Sequence, residues 1–398
     1  MPPVRRPTVT LVHDWLNQSG GAERVLEHLV GMFPQAPVHT SIYWRDGMPA
    51  AYRTWDIRTT WMDRLPGVYR HHQLYLPFYA LAFGRMDLAD PRGVGADAGG
   101  VGADAGSVGA DARSVGADAG GDIVISNKSG FCHAVKTGTL PHLCYCLAPT
   151  RYVWQFESYA ARENLPGAVR VLLRPLVAAL RRWDYHAAQS AALHFVAIST
   201  AIQQRILEFY GRSSEIIHPP VDVLRFAPDA SHDDSYLIVS RLVPYKRIDL
   251  AVKAFTALNL PLLIAGEGRD RAALEALAGP SVRFLGRVDD AELVRLLARC
   301  KGLVLPGLED FGLTPLEAQA SGRPVIAFRG GGALDTVVEG QTGVFFDAAT
   351  PESLMDALER FSVQSFDPQA CRANAERFGP ERFEAELMAA VGRVVGES

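Results

Sequence analysis

The chain has 398 residues, 48% hydrophobic and 21% charged, a balance that excludes a wholly disordered or collagen-like polypeptide and suits roughly two or three globular domains. A formal net charge of −4 supplies no global basic field, so nucleic acid is not expected as a partner. Five cysteines, Cys132, Cys144, Cys146, Cys300 and Cys371, include no C-x-x-C pair, which argues against a disulfide framework or structural zinc and fits a reducing cytoplasm.

Taken in chain order, the start MPPVRRPTVTLVHDW carries two arginines but only a short strand-like run, broken by His13 and Asp14, unlike the apolar region of a signal peptide. No stretch approaches a membrane span. A strand is predicted over 8–13 and a helix from about Ala22, preceded by Gly20 and Gly21. A later helix ends near Arg85. Residues 94–121 are four near-copies of a seven-residue unit, VGADAGG, with one branched apolar side chain each. They offer no a/d seam for a coiled coil, and their pitch is wrong for a nonapeptide calcium roll, so a solvated insertion is expected. Strands DIVIS (122–126), HLCYC (142–146) and LHFVAIS (193–199) follow, with a long helical region over 150–190 between the last two.

The prolines and polar residues of EIIHPPVDVLRFAPDASHDDS mark a boundary near 210–230. Beyond it, YLIVS, PLLIAG, VRFLG, GLVLP, PVIAF and GVFF alternate with amphipathic helices, which predicts a second parallel sheet. The expected organisation is α/β: a lobe over 1–215, a second over 216–375, and a helix over 376–398 returning to the first. Ligands of such sheets bind at the carboxyl ends of the strands, so chemistry is sought in a cleft between the lobes.

Within LVLPGLEDFGLTPLEAQASGRPVIAF (303–328), Glu309 follows a strand directly and Glu317 lies on the next helix. Thr314-Pro315-Leu316-Glu317 reads equally as a capping box with proline at the first helical position. Glu309 and Asp310 read as solvated loop charges, or as the mouth of a site beside Gly312, where backbone amides can approach an anion. Arg241 and Lys246 flank a strand-to-helix loop from which both cations can reach one edge of the cleft, a disposition that suits a diphosphate. Gly266 and Gly268, at a strand end, allow close approach of a ligand or simply form a turn. No G-x-G-x-x-G follows the first strand, which disfavours a nicotinamide oxidoreductase.

The pair Glu309 and Glu317 inside EDFGLTPLEAQASGRPVIA resembles the signature of glycosyltransferase family 4, and GGAERVL, IHPPVDVLRF, VSRLVPYKRIDLAVKAF, AGEG, FLGRV and GGALDTVVEGQTGVFF follow in family order. The resemblance covers nearly the whole chain outside 94–121. It implies the GT-B architecture, two doubly wound Rossmann-like lobes facing across a cleft. It also implies a GDP- or UDP-hexose donor, retention at the anomeric carbon, and neither a metal nor another cofactor.

By the same resemblance Glu309 contacts the donor sugar, amides of Phe311, Gly312 and Leu313 the sugar or phosphate, and Glu317 the ribose. Gly266 borders the nucleotide, and the base lies near Arg287 and Val288. Gly20 and Gly21 offer helix amides to the donor phosphates, with Arg241, Lys246 and Glu309 as the catalytic set. Candidates for the acceptor side are Asp14, His133, Arg151 and Tyr152. Leu147 stands where relatives often carry histidine. Similarity of HDWL, GGAERVL and CYCLAPTRYVW to bacterial mannosyltransferase-like members suggests mannose from GDP-mannose, passed to a saccharide or lipid-linked acceptor. Competing readings are a sugar-nucleotide epimerase or synthase on the same fold, and a non-catalytic nucleotide-sugar-binding scaffold. The stretch AVRVLLRPLVAALRRW (168–183) fits a core-facing helix with a cationic outer face; its alternative is an interfacial helix that brings the protein to a membrane as a peripheral partner.

Overall fold

A computed structural model describes residues 7–89, 121–162, 165–229, 231 and 233–396. The repeat expected at 94–121 lies, apart from Gly121, outside the described residues. The first lobe is built on seven parallel strands: β1 (Val9–His13), β2 (Val38–Thr40), β3 (Ile57–Thr59), β4 (Ile123–Lys128), β5 (His142–Cys146), β6 (Leu193–Ala197) and β7 (Ser214–Ile216). Their order is β3-β2-β1-β4-β5-β6-β7. β4 and β5 are buried at every position, as befits central strands covered on both faces. β2, β3 and β7 have three residues each and were too short to show a pattern in the sequence.

The second sheet has six parallel strands in the order β10-β9-β8-β11-β12-β13. They are β8 (Tyr236–Val239), β9 (Leu262–Ala265), β10 (Val282–Gly286), β11 (Gly302–Leu305), β12 (Val325–Phe328) and β13 (Gly343–Phe346). Strand order reverses direction at β1/β4 in one sheet and at β8/β11 in the other, and a crevice opens at such a switch point. The last helix, Pro380–Gly396, buries Phe383, Leu387 and Val391 in the same core as Leu143 and Tyr145 of the first lobe. The Phe383 ring meets Tyr145 edge-on at 5.7 Å, and Arg393 donates to Glu215 at 2.5 Å.

Two local expectations are corrected. The helix expected to begin with Thr314 as cap runs from Leu313 to Ala320, with Gly312 at its N-cap and no side-chain cap, so there is no capping box. Gly312 takes that place because φ there is 88°, a conformation that disfavours a side chain. The region 150–190 holds three helices, Arg151–Trp154, Phe156–Arg162 and Gly167–Ala187. In the longest, Asp184 is the sole buried residue, so it is not core-facing.

Candidate active site

The site is assembled from loops at the carboxyl ends of β8, β9 and β11. After β8 the chain passes Arg241 and makes a short turn, Pro244–Lys246. Arg247 then adopts a left-handed conformation, φ 52°, and starts the Ile248–Leu258 helix. After β11, Gly307 carries the next loop against the Lys246 backbone, where a Cβ would collide. That approach lets the Lys246 ammonium donate to the Glu309 carboxylate, both groups being largely enclosed. Arg241 is exposed and donates to the Tyr245 hydroxyl at 3.3 Å, while Lys246 Nζ stands 5.2 Å over the Tyr245 ring. Arg241, Lys246 and Glu309 are therefore gathered around Tyr245 and the loops that leave β8 and β11.

Glycines shape the walls. Gly266 (φ 134°) and Gly268 pass so close to the carbonyls of Ser240 and Leu242 that a Cβ at either would collide. Gly331 and Gly332 seat another loop on Glu309 and Phe311, and Gly332 N–H donates to the Glu309 carbonyl at 2.9 Å. The first amides of the Leu313–Ala320 helix have no partner within it and form a positive end beside Glu309. The Phe311 ring is directed elsewhere, stacked on His218 at 5.4 Å. Arg287 is exposed and Val288 half-buried just past β10.

The first lobe closes over these loops with its own strand ends. Gly20 caps the Gly21–Met32 helix and both glycines are exposed; a Cβ at Gly21 would lie 3.9 Å from Leu313. One turn on, Arg24 donates to Glu317 at 2.7 Å and covers that buried carboxylate. Arg151 pairs with Asp310, and Arg205 donates to the same carboxylate at 2.6 Å. Ser199 donates to the Asp310 carbonyl at 2.5 Å, and the Thr200 hydroxyl to Asp335 at 2.5 Å. Asp310 is thus an interlobe anchor and not a solvated loop charge.

Three acceptor-side candidates are corrected by burial. Asp14 is fully enclosed, its carboxylate accepting from the amides of Ser129 (2.7 Å), Gly130 (2.6 Å) and Cys132 (2.9 Å). It fixes the loop after β4 and cannot face a substrate. His133 is buried 3.6 Å from Asp184, and burial holds its pKa well below the usual histidine value. Tyr152 packs edge-on against Phe131 at 5.5 Å, its phenol pushed up by burial. Arg151 alone of the four reaches the cleft. Sequence reasoning missed Arg24, Ser199, Thr200, Arg205 and Asp335; Arg24 and Asp335 lay inside quoted motifs, whereas Arg205 sits on a helix with no distinguishing pattern.

Residues 224–378 match the family described as glycosyl transferases group 1. A GDP-mannose-dependent monoacylated alpha-(1-6)-phosphatidylinositol monomannoside mannosyltransferase of Corynebacterium glutamicum is 31% identical over 221 residues, 48% of this chain and 57% of that protein. Glycogen synthase of Pseudomonas syringae pv. tomato is 32% identical over 170 residues, 38% of this chain and 34% of that protein. The matched segments thus span about a third to somewhat over half of these relatives. The structure of Anabaena HepE in complex with UDP superposes with a TM-score of 0.66 at 15% identity, covering 97% of this chain and all of that one (100%). Sucrose-phosphate synthase from Thermosynechococcus elongatus gives 0.66 at 16% identity, over 98% and 100% of the two chains. The class is settled: two parallel-sheet lobes in the GT-B arrangement. Within the second lobe, residues 224–378 carry the match to the glycosyl transferases group 1 family.

Proposed function

We propose that this protein is a retaining glycosyltransferase that moves a hexosyl group from a nucleoside diphosphate sugar to an acceptor hydroxyl. The observation that carries the reading is the Lys246–Glu309 pair, with Arg241 on the same loop as Lys246, at the carboxyl ends of β8 and β11. When the anomeric C–O bond to the diphosphate breaks, negative charge grows on the leaving phosphate. Lys246, Arg241 and the amides that open the Leu313–Ala320 helix are fixed around that charge. The acceptor oxygen attacks from the same face, and its proton passes to the departing phosphate oxygen. Glu309 holds the sugar hydroxyls. Glu317 takes the ribose once Arg24 releases it, and Gly266 leaves room for the nucleotide.

Donor choice rests on relatives. The Corynebacterium protein is named for GDP-mannose, whereas HepE was crystallised with UDP and with UDP-glucose. Mannose from GDP-mannose is the reading we adopt, because the mannosyltransferase is 31% identical where it aligns and HepE only 15%. Incubating purified protein with GDP-mannose, UDP-glucose and candidate saccharide or lipid-linked acceptors tests it. Release of GDP with mannose transferred or hydrolysed supports the assignment. A scaffold would release no sugar, and an epimerase would convert the donor without any acceptor.

A further inference from the structure

The Gly167–Ala187 helix leaves an apolar face without cover. Val169, Leu172 and Leu176 recur at i, i+3 and i+7, with Leu172 77% exposed. Trp183 continues the same stripe, and its indole lies against Gly84 of the neighbouring Leu76–Arg85 helix. On that neighbour Phe78 and Leu81, with Leu74 in the turn that leads into it, form a second exposed stripe, bordered by Gly84. Among the described residues, about half of the strongly exposed large apolar side chains fall on these two helices and the turn leading into the first. Isolated exposed leucines need no explanation, but two adjoining stripes do.

The rim of this face is basic. Arg85 and Arg182 are exposed on the two helices, and the long helix carries no acidic residue ahead of the buried Asp184. Arg170, Arg174 and Arg181 follow its opposite edge, where Arg174 pairs with Glu157 at 2.9 Å. An apolar stripe bounded by arginines matches the boundary between acyl chains and anionic headgroups. A protein partner would need its own acidic rim to fit the same pattern. No helix among the described residues is long and apolar enough to cross a membrane, so contact here would be lateral.

We propose that this two-helix face docks the protein onto an anionic lipid bilayer. The opposite edge of the long helix gives the docking a use. Arg174, Val177, Ala178 and Arg181 form one wall of a cavity of about 680 Å³, whose far side includes Arg205, the partner of Asp310 beside Glu309. A headgroup rising from the bilayer along this helix reaches the cleft, which makes the acceptor an amphiphile; this last step rests on the transferase reading.

The test is flotation of the full chain with phosphatidylcholine vesicles, with and without phosphatidylglycerol, at low and high salt. Wild type should float with the anionic vesicles and be released by salt. The exposed pair Leu172→Ser/Leu176→Ser should lower vesicle affinity by about tenfold or more, because each change removes several methylene equivalents from the interface. Arg182→Glu should weaken binding to anionic vesicles alone. Binding of UDP and GDP by the same variants should stay unchanged, which separates failure of docking from failure of the donor assignment. The proposal is overturned if wild type ignores anionic vesicles, if the double serine variant floats normally, or if that variant instead loses self-association measured by sedimentation.

Discussion

Lys246 and Glu309 neutralise one another, so under the proposed function a donor diphosphate has to compete for the ammonium. The exchange is local, since Arg241 is exposed on the same loop, held by the Tyr245 hydroxyl, and can reach the ligand first. Lys246→Ala should reduce turnover by about a hundredfold or more, as loss of a fixed charge at a developing anion does elsewhere. Steady-state rates with saturating donor check this, and a change of less than threefold or so would exclude Lys246 from the role. Glu309→Gln keeps the shape but loses the charge that holds Lys246, and it should cost a similar factor in kcat. At this scale the sequence told residue type well and burial badly. Asp14, His133 and Tyr152 carry the right chemistry near strand ends, yet each turns inward, because what encloses them comes from segments more than a hundred residues away, or from helices whose tilt no periodicity records.

Elements were legible in proportion to their length. The four longer strands of the first lobe and all six of the second follow from branched apolar runs, whereas β2, β3 and β7 are held by their neighbours in the sheet and leave no pattern of their own. The Gly167–Ala187 helix shows the reverse failure: its spacing is amphipathic, but periodicity cannot say whether the apolar side meets protein or solvent. Glycine-tight loops were visible as motifs, and the reason for each became physical in three dimensions. Gly266→Ala places a side chain at φ 134° against the Ser240 carbonyl. From the backbone conformation alone this should cost about 1–3 kcal/mol, read as a fall of several degrees in Tm, with loss of nucleotide binding. An unchanged Tm would contradict the close approach of this loop to the Ser240 carbonyl. Asp184 anchors another element, accepting from Trp154 (2.6 Å), Tyr210 (2.8 Å) and Thr150 (3.1 Å) around the enclosed Lys128. Asp184→Ala deprives the three donors of their shared acceptor and should destabilise the fold by about 3–5 kcal/mol, measured by urea unfolding.

At the scale of the whole molecule, the lobes are tied by Arg24–Glu317, the two arginines on Asp310, and Thr200–Asp335, all at the cleft. None of these pairings could be read in advance, because each joins residues more than a hundred positions apart across a boundary that the sequence marks only by its prolines. Stability of the two lobes should respond differently to acid. Burial lowers His39, in β2, to about 4 and His142, in β5, to about 3, whereas in the unfolded chain both protonate near 6.5. As pH falls below about 6.5 the unfolded state binds protons that the folded state refuses, so stability present above that value is lost progressively toward 4 and 3. Both histidines lie in the first sheet, so that lobe should melt first, and a Tm that stays flat between about pH 7 and pH 5 would contradict the burial.

The most direct measurement is a calorimetric titration of UDP and GDP into wild type and Lys246→Ala. The account predicts saturable binding of at least one nucleoside diphosphate by wild type and a loss of about tenfold or more in the variant, since a charge-assisted contact to phosphate is removed. Equal affinity in the two proteins, or no binding of either nucleotide, would contradict it.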